Sequence, residues 1–271
     1  MSIMEESIRV SDQTLAAEPT TARLAVRARA AAVHLSIRML VTAGVFASMI
    51  ALWYPWPVFL AAGAPELLLL VSICDVVLGP ALTFVVFRPG KRGLKFDLAV
   101  IAVLQLGALG YGVHTVFIAR PVFTVFAVDR FELVSQADIE AEQLAKARPA
   151  FRALSITGPR LVAAELPADA GERGTLLMAA ATQGIDLKHL PQHYREYESV
   201  RTRGLVKSMP VDKLREYNDP ARVTAALAAL GRAPMSLRYY PLRGVKRDLT
   251  VLVDAATGEI VRIVNLAPWP R

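Results

Sequence analysis

Three apolar runs, Ser36–Tyr54, Pro65–Phe87 and Phe96–Ile118, fill most of residues 34–119 and constrain the fold more than anything else in the chain. A hydrocarbon core about 30 Å thick is crossed by roughly 20 residues of helix, so each run predicts a transmembrane span. The middle run, PELLLLVSICDVVLGPALTFVVF, carries a carboxylic acid at Asp75 and a Gly79-Pro80 break one turn later. At about 1.5 Å per residue, Asp75 lies about 15 Å in from Pro65. A carboxylate at that depth costs at least about 2.5–3.5 kcal/mol, so it must be neutral, paired or turned toward protein. Pro80 removes the backbone hydrogen bond to the Val76 carbonyl and predicts a kink.

Composition sharpens the division. Hydrophobic residues make up 54% of the chain and charged residues 20%, with the apolar excess confined to residues 34–118. Residues 119–271 have globular composition and carry 22 of the 31 basic and 17 of the 24 acidic side chains. The two signs are interspersed, which argues against a nucleic-acid footprint. Cys74 is the single cysteine, so an intrachain disulfide and a Cys₄ or Cys₂His₂ zinc site are excluded.

Charge sets the expected orientation. Residues 1–33 are polar, then rich in alanine and arginine, and lack the short apolar core and cleavage site of a signal peptide. They predict a flexible cytoplasmic tail, with Arg23, Arg27 and Arg29 near the anionic leaflet. Five Lys/Arg precede or enter the first span, the loop to Ala64 has none, and Arg88, Lys91, Arg92 and Lys95 follow the second. The positive-inside rule then puts the N-terminus and the 88–95 loop in the cytoplasm and everything after Arg120 across the membrane, in the periplasm of a Gram-negative cell. The WYPWP segment, Trp53–Pro57, reads as an aromatic belt at the headgroup level.

Polar groups in the spans share faces. Ser72, Asp75, Gly79 and Thr83 recur at i+3/i+4 on the second span, and Asp97, Ile101, Gln105, Ala108 and Gly112 do so on the third. A short loop makes these helices antiparallel neighbours and sets Gln105 opposite Asp75. Gly107, Ala108, Gly110 and Gly112 would permit close approach. This face, with Pro80 at its break, reads either as a polar clamp holding the helices together or as a docking point for another protein's transmembrane helix.

Residues 120–271 predict an α+β domain. Pro121–Val134 reads as a strand broken near Asp129-Arg130, and Ser135 with Asp138 as a capping box opening a helix to about Ala147. Arg160–Leu166 reads as a strand, Thr175–Gln183 as a helix closed by Gly184, and Pro191–Arg203 as a further helix. Asp219-Pro220 opens a last helix that Gly231 ends. SLRYYPLR, RDLTVLVD and EIVRIVNLAPW form a C-terminal antiparallel β-meander with turns at Arg243-Gly244 and Ala255–Gly258.

Little of this is catalytic chemistry. His189 and His193 have the i, i+4 spacing of a helical metal pair, but Pro191 between them sets His189 before the helix and no third ligand is near. No nucleophile motif, phosphate loop or dinucleotide fingerprint is present. Tyr194, Tyr197, Tyr239 and Tyr240 read as core or sheet-packing residues before they read as a binding surface. Arg120, Asp129 and Arg130 are the acid/base candidates nearest the expected membrane surface.

WYPWP, ELLLLVSICDVVLGPALTFVVF, LKFDLAVIAVLQLGALGYG, ARPVFTVFAVDRFELV and KRDLTVLVDAATGEIVRIVNL, taken together, resemble the TfpX/TfpZ family of type IV pilin accessory proteins. The similarity covers roughly residues 34–271, and the first 30 or so residues look like an extension. The resemblance implies an inner-membrane, non-catalytic protein that acts beside a type IV pilin, together with other pilus assembly proteins, and affects pilin stability or assembly. It implies no cofactor and carries over no catalytic residue. Two other functions stay open from the residues themselves: an enzyme that modifies pilin, and a sensor of pilin status that needs a separate output partner.

Overall fold

The computed structural model describes residues 20–73, 77–88 and 92–270. The chain forms two compact units, Met1–Phe46 with Leu69–Val113, and Ala47–Leu68 with His114–Arg271.

Two helices among the described residues are long and apolar enough to cross a membrane. The first, α1, runs Thr20–Trp53, so it begins well before the expected Ser36 and takes up part of the segment read as a tail. Alanine, leucine and arginine, which dominate residues 22–32, are all strong helix formers, which accounts for the earlier start. Between the two long helices lie the short α2, Val58–Ala61, then α3, Ala64–Ser72, and α4, Leu78–Val86. The second long helix, α5, runs Leu94–Ile118. Of the three expected spans, two are candidates among the described residues; the middle run is described as two nine-residue helices with π-helical Ile73 and Val77 at their facing ends. Pro80 is the third residue of α4, and Val77 just before that helix has αR backbone angles. Asp75 lies outside the described residues. Leu40, Val103, Leu104 and Leu106 on the long helices are exposed, which suits lipid rather than water.

The second unit is built on a mixed sheet of eight strands among the described residues: β1 Pro121–Ala127, β2 Arg130–Ser135, β3 Arg160–Ala164, β4 Tyr194–Arg195, β5 Met209–Pro210, β6 Leu237–Arg243, β7 Leu249–Asp254 and β8 Ile260–Val264. Their order is β4-β3-β1-β2-β6-β7-β8, with β5 beside β6. The C-terminal meander is antiparallel, as alternation predicts, while β1–β3 and β2–β6 pair parallel. The expected strand Pro121–Val134 is a hairpin that turns at Val128-Asp129. The Ser135–Asp138 capping box is present, but it opens a short 3₁₀ turn, and the α-helix begins only at Ala141. The helix expected over Pro191–Arg203 is instead a run of 3₁₀ turns, the two residues of β4 and a four-residue helix.

One face of the sheet buries Phe126, Phe131, Tyr197 and Tyr240 as an aromatic cluster, with centroids 5.0 Å apart for Phe126–Phe131 and for Phe126–Tyr240. Val58 and Ala61 of α2 complete that core. The other face is covered in part by the helix Ala170–Gln183 and in part by the helix Pro220–Ala228, which brings Val223 and Leu227 onto Leu237, Tyr239 and Leu252.

Candidate functional site

In the first unit α5 buries Ile101, Gln105, Leu109 and Gly112, a stripe at i+4, i+4 and i+3. The expected face is right except that Leu109 takes the place of Ala108, which is exposed. Gln105 packs against Gly79 so tightly that a Cβ on Gly79 would overlap its side-chain amide. Gly79 and Pro80 are both buried. Among the described residues neither Nε2 nor Oε1 of Gln105 has a hydrogen-bond partner. Such a buried amide costs about 1–3 kcal/mol until a partner supplies the bond. Of the expected small-residue contacts, Gly112 makes one: its Cβ would stand 2.9 Å from Val71. Gly107 and Gly110 face open space. Ser72 is half-buried at the end of α3, and Asp97 is half-buried in the first turn of α5, where a carboxylate favours the helix dipole. Asp97 is two turns, about 12 Å, from Gln105 and does not share its site. The sequence reading missed His34, whose Nδ1 lies 2.6 Å from the buried Thr83 hydroxyl. The i+3/i+4 polar face already contained Thr83, and a histidine in the alanine-rich run was the available signal.

The second unit contains the joint between the long helices and the sheet. Trp53 and Phe117 meet edge to face at 5.1 Å, and the Tyr54 hydroxyl donates to the Val116 carbonyl at 2.9 Å. Arg120 is buried and closes the last turn of α5. Its Nη1 donates to the Phe117 carbonyl at 2.6 Å and to Gln136, its Nε donates to the Ser155 carbonyl at 3.1 Å, and its guanidinium lies 3.6 Å over the Phe117 ring. Burial lowers its pKa, and a cation at a helix C-terminus is favourable. Residues 54–63 then cross the sheet face. Ala61 accepts backbone hydrogen bonds from Val245 and Lys246 at 2.8 and 3.0 Å. Where this segment first meets the sheet, a cleft of about 380 Å³ opens, lined by Pro55, Trp56, Thr124, Gly158, Ile260 and Ile263. Asp129 and Arg130 pair at 2.8 Å at the far end of β1 from Arg120. Seven strand residues separate them, about 23 Å. The three juxtamembrane candidates therefore do not converge on one reacting centre.

No protein-family model matches the chain, and no solved structure matches it. Among curated proteins, two fimbrial assembly proteins of Dichelobacter nodosus, of serogroups I and E1, are each 33% identical over 180 residues, covering 65% of this chain and 69% of the relative. The chain belongs to the fimbrial assembly protein family. The fimbrial assembly protein of serogroups C1 and C2 is 34% identical over 128 residues, 46% of this chain and 97% of that protein. The expectation of a pilus assembly protein holds at this level, while the relatives' names do not carry the narrower TfpX/TfpZ grouping.

In this fimbrial assembly protein one of the two histidines, His189, has a defined local contact. His189 Nδ1 accepts the Asp186 N–H at 3.1 Å, closing a capping box, and the described residues hold no cluster of three metal-ligating side chains. Burial, with help from Lys188, lowers the His189 pKa below its usual 6.5. The unfolded chain therefore binds this proton first, so stability falls as pH drops below about 6.5, until His189 is protonated in the folded state as well. Thermal melts between pH 7 and 5 should show this slope in the native protein. His189→Asn, which keeps an acceptor but cannot titrate, should reduce it, with His193, whose pKa burial also lowers, supplying the rest; an unchanged slope would remove His189 as a source.

Proposed function

We propose that this fimbrial assembly protein is an inner-membrane accessory factor of type IV pilus biogenesis, of the TfpX/TfpZ kind. It binds pilin subunits before assembly, and it does so without catalysis. Its N-terminus is cytoplasmic and its sheet domain periplasmic. The contact of Trp53 with Phe117 favours this topology. If the C-terminal ends of both long helices meet, the chain between them must return, and the apolar run Pro65–Phe87 is the proposed third crossing. Arg88, Arg92 and Lys95 then lie on the cytoplasmic side.

The observation that carries the reading is the unpartnered Gln105 amide beside Gly79, on helices that otherwise turn apolar side chains outward. The amide is enclosed, so a polar group on a neighbouring helix reaches it only where the Gly79–Gln105 contact opens, and an unmade hydrogen bond in a bilayer favours that opening. The pilin helix is the proposed occupant, and the cleft at Trp56 takes the pilin head. A photo-crosslinking residue at Leu82 and another at Trp56 should each capture pilin. Capture from Trp56 alone rejects the intramembrane half of the proposal, and capture from neither rejects pilin binding. Deletion of the gene should lower pilin abundance or surface fibres while the intact mass of the remaining pilin is unchanged. A mass change would make the protein a modifying enzyme.

A further inference from the structure

The turn between β6 and β7, Arg243–Asp248, is held where the chain leaves the sheet for the apolar helices. The N–H groups of Val245 and Lys246 bind the Ala61 carbonyl, and α3 begins three residues later at Ala64. The Lys246 stem packs on Gly63, within 2.8 Å of where a Cβ would stand. Trp56, on the same segment, is 71% exposed beside the end of α1. An exposed tryptophan next to the end of an apolar helix marks the headgroup level, and the turn is tied to that segment by two hydrogen bonds.

The chemistry of the turn matches that level. Val245 is 68% exposed although it is apolar, and Arg243, Lys246 and Arg247 surround it, all exposed. No carboxylate among the described residues forms an ion pair with these three cations. Asp248 is occupied: it accepts from the Gly244 N–H at 3.1 Å and from the Trp269 indole N–H at 2.8 Å. Arg247 reaches only the Asn265 side chain, at 3.4 Å. Glu66, in the first turn of α3, is the other acid near the turn.

We propose that this turn docks on the anionic phospholipid headgroups of the bilayer that the chain's own helices enter. Val245 passes into the acyl boundary, and Arg243, Lys246 and Arg247 bind headgroup phosphates. A cationic rim around an apolar tip gains from both anionic lipid and apolar burial. Docking would fix the sheet domain against the membrane at a second point besides the helix ends. The inference rests on the reading of α1 and α5 as membrane spans.

The test uses spin labels in full-length protein carrying Cys74→Ala, reconstituted in vesicles of phosphatidylcholine with or without phosphatidylglycerol. Labels are placed by Val245→Cys, by Leu104→Cys on α5, and by Ala228→Cys at the end of the helix covering the opposite sheet face. The Val245 label should be reached by oxygen and shielded from aqueous nickel, with shielding that needs phosphatidylglycerol and is lost in Lys246→Glu/Arg247→Glu. A Val245 label as open to nickel as the Ala228 label, beside a lipid-buried Leu104 label, overturns the proposal and leaves the spans standing. Equal shielding in pure phosphatidylcholine overturns headgroup recognition. A Leu104 label open to nickel overturns the membrane reading and this inference with it.

Discussion

Gly244→Ala should lower the melting temperature of the full-length protein in detergent by about 6–20 °C. The new Cβ would overlap the Arg247 carbonyl and stand 2.7 Å from the Ala61 carbonyl oxygen and 2.8 Å from the Ala61 Cβ. Two of these three are backbone oxygens, which have no rotamer to escape into. Either the turn or the 54–63 segment must move, and the Ala61 carbonyl then loses the Val245 and Lys246 donors. Overpacking of about 1–3 kcal/mol and two lost hydrogen bonds of about 1 kcal/mol each come to about 3–5 kcal/mol. For a domain of this size each kcal/mol is worth about 2–4 °C. Gly174→Ala is the control: it lies in the helix Ala170–Gln183 with nothing within 4 Å, and alanine favours helix by about 1 kcal/mol. A shift below about 2 °C for Gly244→Ala would mean that the segment does not rest on the sheet.

That segment shows where sequence reading stops. The aromatic and proline content of residues 53–57 was legible as a membrane-boundary signal. Its second role was not, because the surface that buries Tyr54, Val58 and Ala61 comes from strands 60 to 200 residues later in the chain. The meander was legible because alternation is local and each hairpin joins neighbours. The parallel pairs β1–β3 and β2–β6 were not, because nothing local encodes which distant strand lies alongside. The misread helix at Pro191–Arg203 has a specific cause. Tyr194, Tyr197 and Val200 recur every three residues and are all buried, a stripe that looks α-helical. Successive 3₁₀ turns place i and i+3 on one side just as well, and here they leave Tyr194 free to join a strand. In the first unit the polar faces were legible from i+3/i+4 spacing, which set Gln105 opposite Asp75, a residue outside the described set; that the amide packs on Gly79 was not, because periodicity fixes a face and not the register between two helices.

Gln105→Leu should leave the protein's own abundance and melting temperature unchanged or raised, while capture of pilin falls by about three- to twentyfold. The first half follows from the unpartnered amide: removing a buried polar group that bonds nothing among the described residues also removes its desolvation cost. The fold-change corresponds to one bilayer hydrogen bond of about 0.6–1.7 kcal/mol. Gly79→Ala should act in the same direction by another route. Its Cβ meets chiefly the Nε2 of Gln105, the free end of a flexible side chain, so the helices can stay packed while the amide is swung away. Both changes strike the same group, so the double variant should lose no more pilin than either alone. A polar clamp without a pilin contact gives the opposite pattern. Gln105→Leu would then destabilise the helices and lower the protein's abundance, with pilin captured per surviving molecule unchanged. Measuring abundance, melting temperature and crosslinked pilin on the same three variants separates the two, because a clamp moves the first pair of readouts and a docking amide moves the third.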